Sequence, residues 1–146
     1  MFADYLRNYP EWEISRREKV NLMIDGTYFP NKVCLVVYRD FNIRRTLFYR
    51  LTDKEWKMEI REDLEKILSL GIEIESVTCD GASSIIKSIK KTSPEIIIQR
   101  CIIHVQRESK MWLTKHPKSD AGKTLRSLSS AIHEIKSEDD RDYWVS

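Results

Sequence analysis

Hydrophobic and polar positions change their spacing along the chain. Three extended apolar segments come first, at about Val20–Phe29, Val33–Tyr38 and Ile43–Leu51. The breaks between them, at residues 30–31 and 40–42, are short enough to join antiparallel neighbours. This pattern predicts a three-stranded antiparallel unit.

Beyond residue 52 the apolar positions recur at helical spacing. They form three stripes, at Trp56, Ile60, Leu64, Ile67 and Leu68, at Ala82, Ile85, Ile86 and Ile89, and at Ala121, Leu125, Leu128, Ile132 and Ile135. Thr52 and Glu55 have capping-box spacing, so Thr52 is expected to cap the first helix. Further strands are predicted at Ile72–Cys79 and Ile96–Ile103, the second buried on both faces.

The predicted element order is β-β-β-α-β-α-β-α, which indicates an α/β fold. Right-handed crossovers restrict how the last two strands join the sheet. The arrangement that fits is ribonuclease-H-like, a mixed five-stranded sheet of order 3-2-1-4-5 flanked by helices, with a helical C-terminal segment. Phe2, Tyr5, Leu6 and Tyr9 share one helical face, so a helical lead-in is expected over residues 1–19.

Composition narrows the class of protein. The 146 residues suit one domain, and no apolar stretch approaches the ~20 residues of a membrane span. The beginning of the chain lacks a signal-peptide pattern, and the three cysteines suit reduced thiols, so we expect a cytoplasmic protein. Residues 85–126 hold ten Lys or Arg against three Asp or Glu, a balance that suits either phosphate contacts or a solvated helical surface.

Two aspartates interrupt apolar strands. Asp25 lies inside LMIDGTYF, and Asp80 ends the apolar run of VTCDGASS. In the predicted sheet they belong to neighbouring strands, ~4.8 Å apart, and two carboxylates this close repel each other, so that one is protonated unless a cation lies between them. Mg²⁺ or Mn²⁺ is the usual ion for oxygen ligands. The alternative, in which Asp-Gly marks a turn and Asp80 caps a helix, is equally open.

Three segments together carry a family resemblance. MIDGTYF, VTCDG before a helix, and QRCIIHVQR resemble the catalytic core of DDE transposases of bacterial insertion sequences, in the group akin to Mutator-like elements. The resemblance implies two-metal DNA strand cleavage and transfer in DNA transposition and recombination, with Asp25 and Asp80 as catalytic metal ligands. It also places Cys101 and His104 in a Cys-x2-His motif, for which packing beside the site is the favoured role over zinc binding, since structural zinc needs four ligands.

The third acidic ligand is not identifiable. In such transposases it is a Glu on a helix after a long helical insertion, and no acidic residue among Glu134, Glu138, Asp139 and Asp140 has that context. Asp139 and Asp140 are expected in a loop. We therefore expect a partial catalytic core at 20–110, the start of the insertion at 111–146, and a truncated fragment that has a two-metal site only when complete.

The resemblance also implies partners. These are DNA, as element ends and target, and further copies of the full-length chain in a homo-oligomer, with no membrane and with nucleoid association when DNA is bound. The basic residues expected to contact DNA are Lys87, Lys90, Lys91, Arg100, Arg107 and Lys110. Two alternatives remain: a catalytically dead remnant that binds DNA or a sister subunit, and another ribonuclease-H-like nuclease.

Overall fold

A computed structural model describes residues 19–30, 32–54 and 56–146. One five-stranded sheet is formed by β1 (Lys19–Phe29), β2 (Val33–Asp40), β3 (Arg45–Thr52), β4 (Glu73–Cys79) and β5 (Ile97–Arg100). The strand order is β3-β2-β1-β4-β5, with the first three antiparallel and the β1–β4 and β4–β5 pairs parallel. This topology confirms the predicted ribonuclease-H-like arrangement.

Five α-helices follow or connect the strands. They are α1 (Lys57–Ser69), α2 (Ser83–Thr92), α3 (Ile102–Trp112), α4 (Asp120–Ala131) and α5 (Glu138–Val145), with a 3₁₀ turn at Ile132–Glu134. None of the helices in the described ranges is long and apolar enough to cross a bilayer. Helices α3, α4 and α5 follow the last strand and confirm the predicted helical C-terminal segment. The division of the chain at residues 20–110 and 111–146 stays a prediction.

The core lies between one face of the sheet and helices α1 and α2. Alternation along β1 buries Val20, Leu22 and Ile24 on this face and turns the residues between them to the other. Leu64 of α1 and Ile89 of α2 are completely buried against it. Each such aliphatic side chain contributes roughly 1.5–3 kcal/mol through burial, so this face supplies most of the hydrophobic stabilisation.

A buried carboxylate links α1 to the sheet. Asp63 is 1% exposed and accepts a hydrogen bond of 2.9 Å from the Tyr38 hydroxyl. The Arg50 guanidinium donates to both Asp63 oxygens, with Nε at 3.1 and 2.9 Å. Burial, followed by the charge of Asp63, raises the pKa of the Tyr38 phenol far above its ordinary value. We call Tyr38, Arg50 and Asp63 the buried carboxylate cluster.

Helices α3 to α5 contrast with this core, because none of their residues is buried. Polar contacts join them instead. The Gln106 amide donates to the carbonyls of Ser129 and Ser130 at 3.0 and 3.1 Å, and the Trp144 indole donates to the Leu128 carbonyl at 3.0 Å. Ser119 caps α4, since its hydroxyl accepts a hydrogen bond from the Gly122 amide.

Three local predictions were wrong, and one cannot be compared. Thr52 ends β3, and Trp56 occupies the cap position of α1 without a side-chain cap. β5 has only four residues, because the chain turns into α3 inside the apolar run Ile96–Ile103, and Ile97 is 66% exposed. Asp139 and Asp140 lie in the first turn of α5, where Ser137 and Asp140 form a capping box. The predicted N-terminal helix lies outside the described residues.

Candidate active site at the ends of strands β1 and β4

Strand register brings the two predicted acidic positions together. Ile24 on β1 is the parallel partner of Cys79 on β4. Asp25 is the next residue on β1 and Asp80 is the first residue after β4, so positions 25 and 80 follow directly from a paired position. Because β1 continues through Gly26 to Phe29, a hairpin turn at Asp25-Gly26 is excluded.

Asp25 is open to solvent. Its side chain is 55% exposed, and its position on β1 belongs to the face opposite the core. No described residue donates a hydrogen bond to its carboxylate. Among the described residues, its one ion-pair contact is with His104, whose Nε2 lies 3.8 Å from the Asp25 Oδ1. This carboxylate is therefore free to bind a cation.

Asp80 is held more firmly by the turn that follows β4. Its Oδ1 accepts a hydrogen bond of 2.7 Å from the Ala82 amide, just before α2 begins. The predicted capping role is thus partly observed, although α2 has Ala82 at its cap position. The second oxygen of Asp80 has no hydrogen bond from the described residues, so one oxygen fixes the turn and the other remains available.

An arginine fixes the turn from the neighbouring strand. The Arg100 Nη2 donates to the Asp80 carbonyl at 3.2 Å and to the Glu108 carboxylate of α3 at 3.1 Å. Gly81 has a φ of +96°, and a Cβ at this position would collide with the Arg100 guanidinium. Arg100 therefore acts here as a clamp between Asp80-Gly81 and α3. Sequence reasoning assigned it only to DNA, and the Gly after Asp80 was the one signal of a close approach to the backbone.

The Cys-x2-His motif spans the junction of β5 and α3. Cys101 is partly buried, and its amide donates to the Cys79 carbonyl at 2.7 Å, which extends the β4–β5 pairing by one residue. His104 lies in the first turn of α3 with its Nδ1 buried and without a partner among the described residues. The motif thus places His104 beside Asp25, whereas Cys101 joins β4 through its backbone amide. Burial raises the pKa of the Cys79 thiol, which suits a packed cysteine.

The predicted DNA-contact residues lie on different surfaces. Lys87, Lys90 and Lys91 are exposed on α2, which packs on the sheet face opposite Asp25. Arg107 and Lys110 are exposed on α3, the helix that carries His104. The fold therefore separates two basic groups that the sequence places in one continuous region.

The residues present fit part of a divalent metal site. Asp25 and Asp80 offer hard oxygen donors at adjacent strand positions, the type that Mg²⁺ and Mn²⁺ accept. Within residues 19–30, 32–54 and 56–146, no group of three or more His, Cys, Asp or Glu side chains is arranged to hold an ion. Of the acidic residues considered as a third ligand, Asp140 is engaged with the Lys136 and Ser137 amides at the start of α5.

Solved structures similar to this chain include two of the HTLV-2 integrase catalytic core domain in complex with magnesium. The trimeric form is 17% identical with a TM-score of 0.42, covering 83% of this chain and 90% of that chain. The dimeric form is 20% identical with a TM-score of 0.42, covering 83% of this chain and 100% of that chain.

No curated protein matches the sequence significantly. The family model "Transposase, Mutator family" matches residues 42–142, a segment that includes Asp80, Cys101 and His104 and begins after Asp25. This segment is more than half of the chain. The chain therefore belongs to the Mutator family of transposases.

Proposed function

We propose that this chain is the strand-cleaving and strand-joining core of a DNA transposase, with Asp25 and Asp80 as its metal ligands. The observation that carries the proposal is the parallel register of Ile24 with Cys79, which makes the two acidic positions neighbours across the central strands. Family membership supports DNA as the substrate.

Each residue has a distinct task in this proposal. Asp25, open to solvent, and the free oxygen of Asp80 would hold Mg²⁺ or Mn²⁺. When bound, such an ion polarises a phosphodiester and lowers the pKa of a bound water. Arg100 and the Ala82 amide keep the Asp80 turn in place. His104 lies close enough to Asp25 to orient its carboxylate or to contact a phosphate.

The test measures nicking and ion binding separately. A supercoiled plasmid is incubated with Mg²⁺ or Mn²⁺, and free Mn²⁺ is followed by electron paramagnetic resonance in the absence of DNA. We expect Asp25→Asn and Asp80→Asn to abolish nicking and to weaken Mn²⁺ binding at least about tenfold, because each removes one charged ligand.

The control is Asp142→Asn on α5, an exposed carboxylate that already pairs with Arg141 at 2.8 Å. This variant should bind Mn²⁺ and nick like the original chain. Unchanged Mn²⁺ binding and nicking in both Asp25→Asn and Asp80→Asn would overturn the metal assignment.

A second function is favoured by one observation. Because the described residues contain no third acidic ligand grouped with the pair, the chain is also suited to bind DNA or a sister subunit without cleaving. DNA binding that needs no divalent ion, together with an absence of nicking at any Mg²⁺ or Mn²⁺ concentration, would favour this function over the first.

A further inference from the structure

A basic groove lies along α3, the segment that follows it and the middle of α4. It encloses about 600 Å³, and its charged lining consists of Arg107, Lys110, Lys115 and Arg126. No carboxylate is among its described lining residues. Four positive charges thus share one concave surface, where they repel one another in the absence of an anion.

The groove cations have no carboxylate partner among the described residues. Arg107, Lys110 and Lys115 form no ion pair with any described residue, and Arg126 donates only to the Thr114 carbonyl, at 2.5 Å. Arg100, the last residue of β5, differs from them because it forms an ion pair with Glu108 at 3.1 Å. Charges that the protein leaves unpaired in a concavity favour a polyanion as the occupant.

The groove begins beside the candidate active site. His104, 3.8 Å from Asp25, precedes Arg107 by three residues and Lys110 by six on the same helix. With a rise of 1.5 Å per residue, these cations follow at about 4.5 and 9 Å along α3. A DNA strand advances ~3.4 Å per nucleotide, so this length spans about two to three phosphates.

The groove also offers apolar surface between its charges. Ile103 is 64% exposed and Met111 is 71% exposed, and both line the groove. A flexible, polarisable methionine adapts to irregular partners such as sugars and base edges. A free phosphate would leave this surface unused, whereas a nucleic-acid strand would cover it together with the cations.

We propose that the α3–α4 groove binds the sugar–phosphate backbone of a DNA strand that extends from the Asp25–Asp80 site. The proposal rests on the proposed function for the identity of the polyanion, and it adds the surface that this strand contacts. It assigns this role to Lys115 and Arg126 as well as to Arg107 and Lys110. It also separates the groove from the α2 lysines, which lie on the other side of the sheet.

Two triple variants with equal charge change test it. One carries Arg107→Gln, Lys110→Gln and Lys115→Gln in the groove, and the other carries Lys87→Gln, Lys90→Gln and Lys91→Gln on α2. Binding of a fluorescein-labelled DNA duplex is measured by anisotropy at several salt concentrations, with EDTA present. We expect the groove variant to bind about 10–100-fold more weakly and to lose about 2–3 units of salt slope, since each phosphate contact contributes ~0.9.

The α2 variant should keep its salt slope within about 0.5 units, because its lysines do not line the groove. Equal losses in the two variants, or a larger loss on α2, would overturn the proposal. Since EDTA removes divalent ions, a failure of the metal assignment at Asp25 and Asp80 leaves this measurement unaffected. Circular dichroism of both variants shows whether either has lost its fold.

A second measurement needs no substitution. Acetylation of lysines in the intact chain, read by mass spectrometry, should show protection of Lys110 and Lys115 by DNA while Lys87, Lys90 and Lys91 stay reactive. Poly-glutamate at the same charge concentration should protect Lys110 and Lys115 less than DNA does. Equal protection by poly-glutamate would mean a general anion surface or an acidic protein segment as the occupant, and would overturn the assignment to DNA.

Discussion

Two carboxylates on opposite sides of the sheet are treated in opposite ways by the fold. Asp63, in the buried carboxylate cluster, is 1% exposed and receives hydrogen bonds from Tyr38 and Arg50. Asp25 has a side chain 55% exposed, and its one ion-pair contact among the described residues is with His104 at 3.8 Å. Arg50 supplies the cation for Asp63, whereas no Lys or Arg of the described residues pairs with Asp25.

The difference separates a carboxylate that stabilises the fold from one that is available to an external cation. A buried charge is tolerated only when fixed donors satisfy it, and removing one donor then destabilises the fold. An exposed charge without a fixed partner adds little to stability and remains available for an external cation. Stability measurements and ion-binding measurements should therefore rank Asp63 and Asp25 in opposite orders.

The largest effect is expected when the buried cluster is broken. Asp63→Asn should lower the free energy of unfolding by about 2–4 kcal/mol, because Arg50 loses its carboxylate inside the fold. The value lies below the full cost of a wholly buried pair, since the Arg50 side chain is 26% exposed and also approaches Glu62 at 3.5 Å. Urea denaturation followed by circular dichroism measures it.

The matched control is the same chemical change at Asp25. Asp25→Asn should alter the free energy of unfolding by no more than about 0.5 kcal/mol, as is usual for an exposed position. A destabilisation of Asp25→Asn equal to that of Asp63→Asn would contradict the contrast between the two regions.

An intermediate effect is expected at the clamp on Asp80. Gly81→Ala should destabilise by about 1–2 kcal/mol from the positive φ, and should also displace Arg100 from the Asp80 carbonyl. Gly71→Ala is the control, because Gly71 has a φ of +80° with nothing within 4 Å of a new Cβ. The excess of Gly81→Ala over Gly71→Ala measures the clamp.

A double variant sharpens this measurement. If the clamp is the cause of the excess, Arg100→Ala should add little to Gly81→Ala, since the contact has already been lost. Full additivity of the two substitutions would show instead that Arg100 does not hold the Asp80-Gly81 turn.

The smallest effect concerns the Tyr38 hydroxyl. At neutral pH, Tyr38→Phe should cost about 0.5–1.5 kcal/mol, the value of a typical hydrogen bond, because Arg50 continues to donate to the Asp63 carboxylate. Because burial raises the pKa of Tyr38 in the folded state, this contribution is fully present below the unfolded pKa of about 10 and is lost at higher pH. The difference between the two proteins should shrink by ~1.4 kcal/mol per pH unit above pH 10.

Denaturation midpoints of both proteins between pH 8 and pH 11, on the order of one reading per half unit, test the sign. Other groups titrate equally in the two proteins, so only Tyr38 contributes to the difference. A difference that stays constant across this interval would mean that the Tyr38 environment is not as buried as its hydrogen bond to Asp63 indicates.

The sequence alone predicted the strand order, because the order of the elements and the right-handed crossovers leave few arrangements. It also singled out Asp25 and Asp80, the aspartates that interrupt or end apolar runs, and their role as metal ligands stays a prediction. It could not locate the end of β5, since Ile102 and Ile103 continue the apolar run while already belonging to α3. The Arg100 clamp was also missed. Its two partners, Asp80 and Glu108, become neighbours only through the packing of β4, β5 and α3.

The alternation along β1 also determines the register of its pairing with β4. Ile24 and Asp25 are consecutive, so a slip of one residue against β4 would turn the aspartate into the apolar interior and the isoleucine into water. An unpaired carboxylate in that interior costs several kcal/mol. Asp25, the proposed metal ligand, therefore also disfavours a misaligned pairing of β1 with β4.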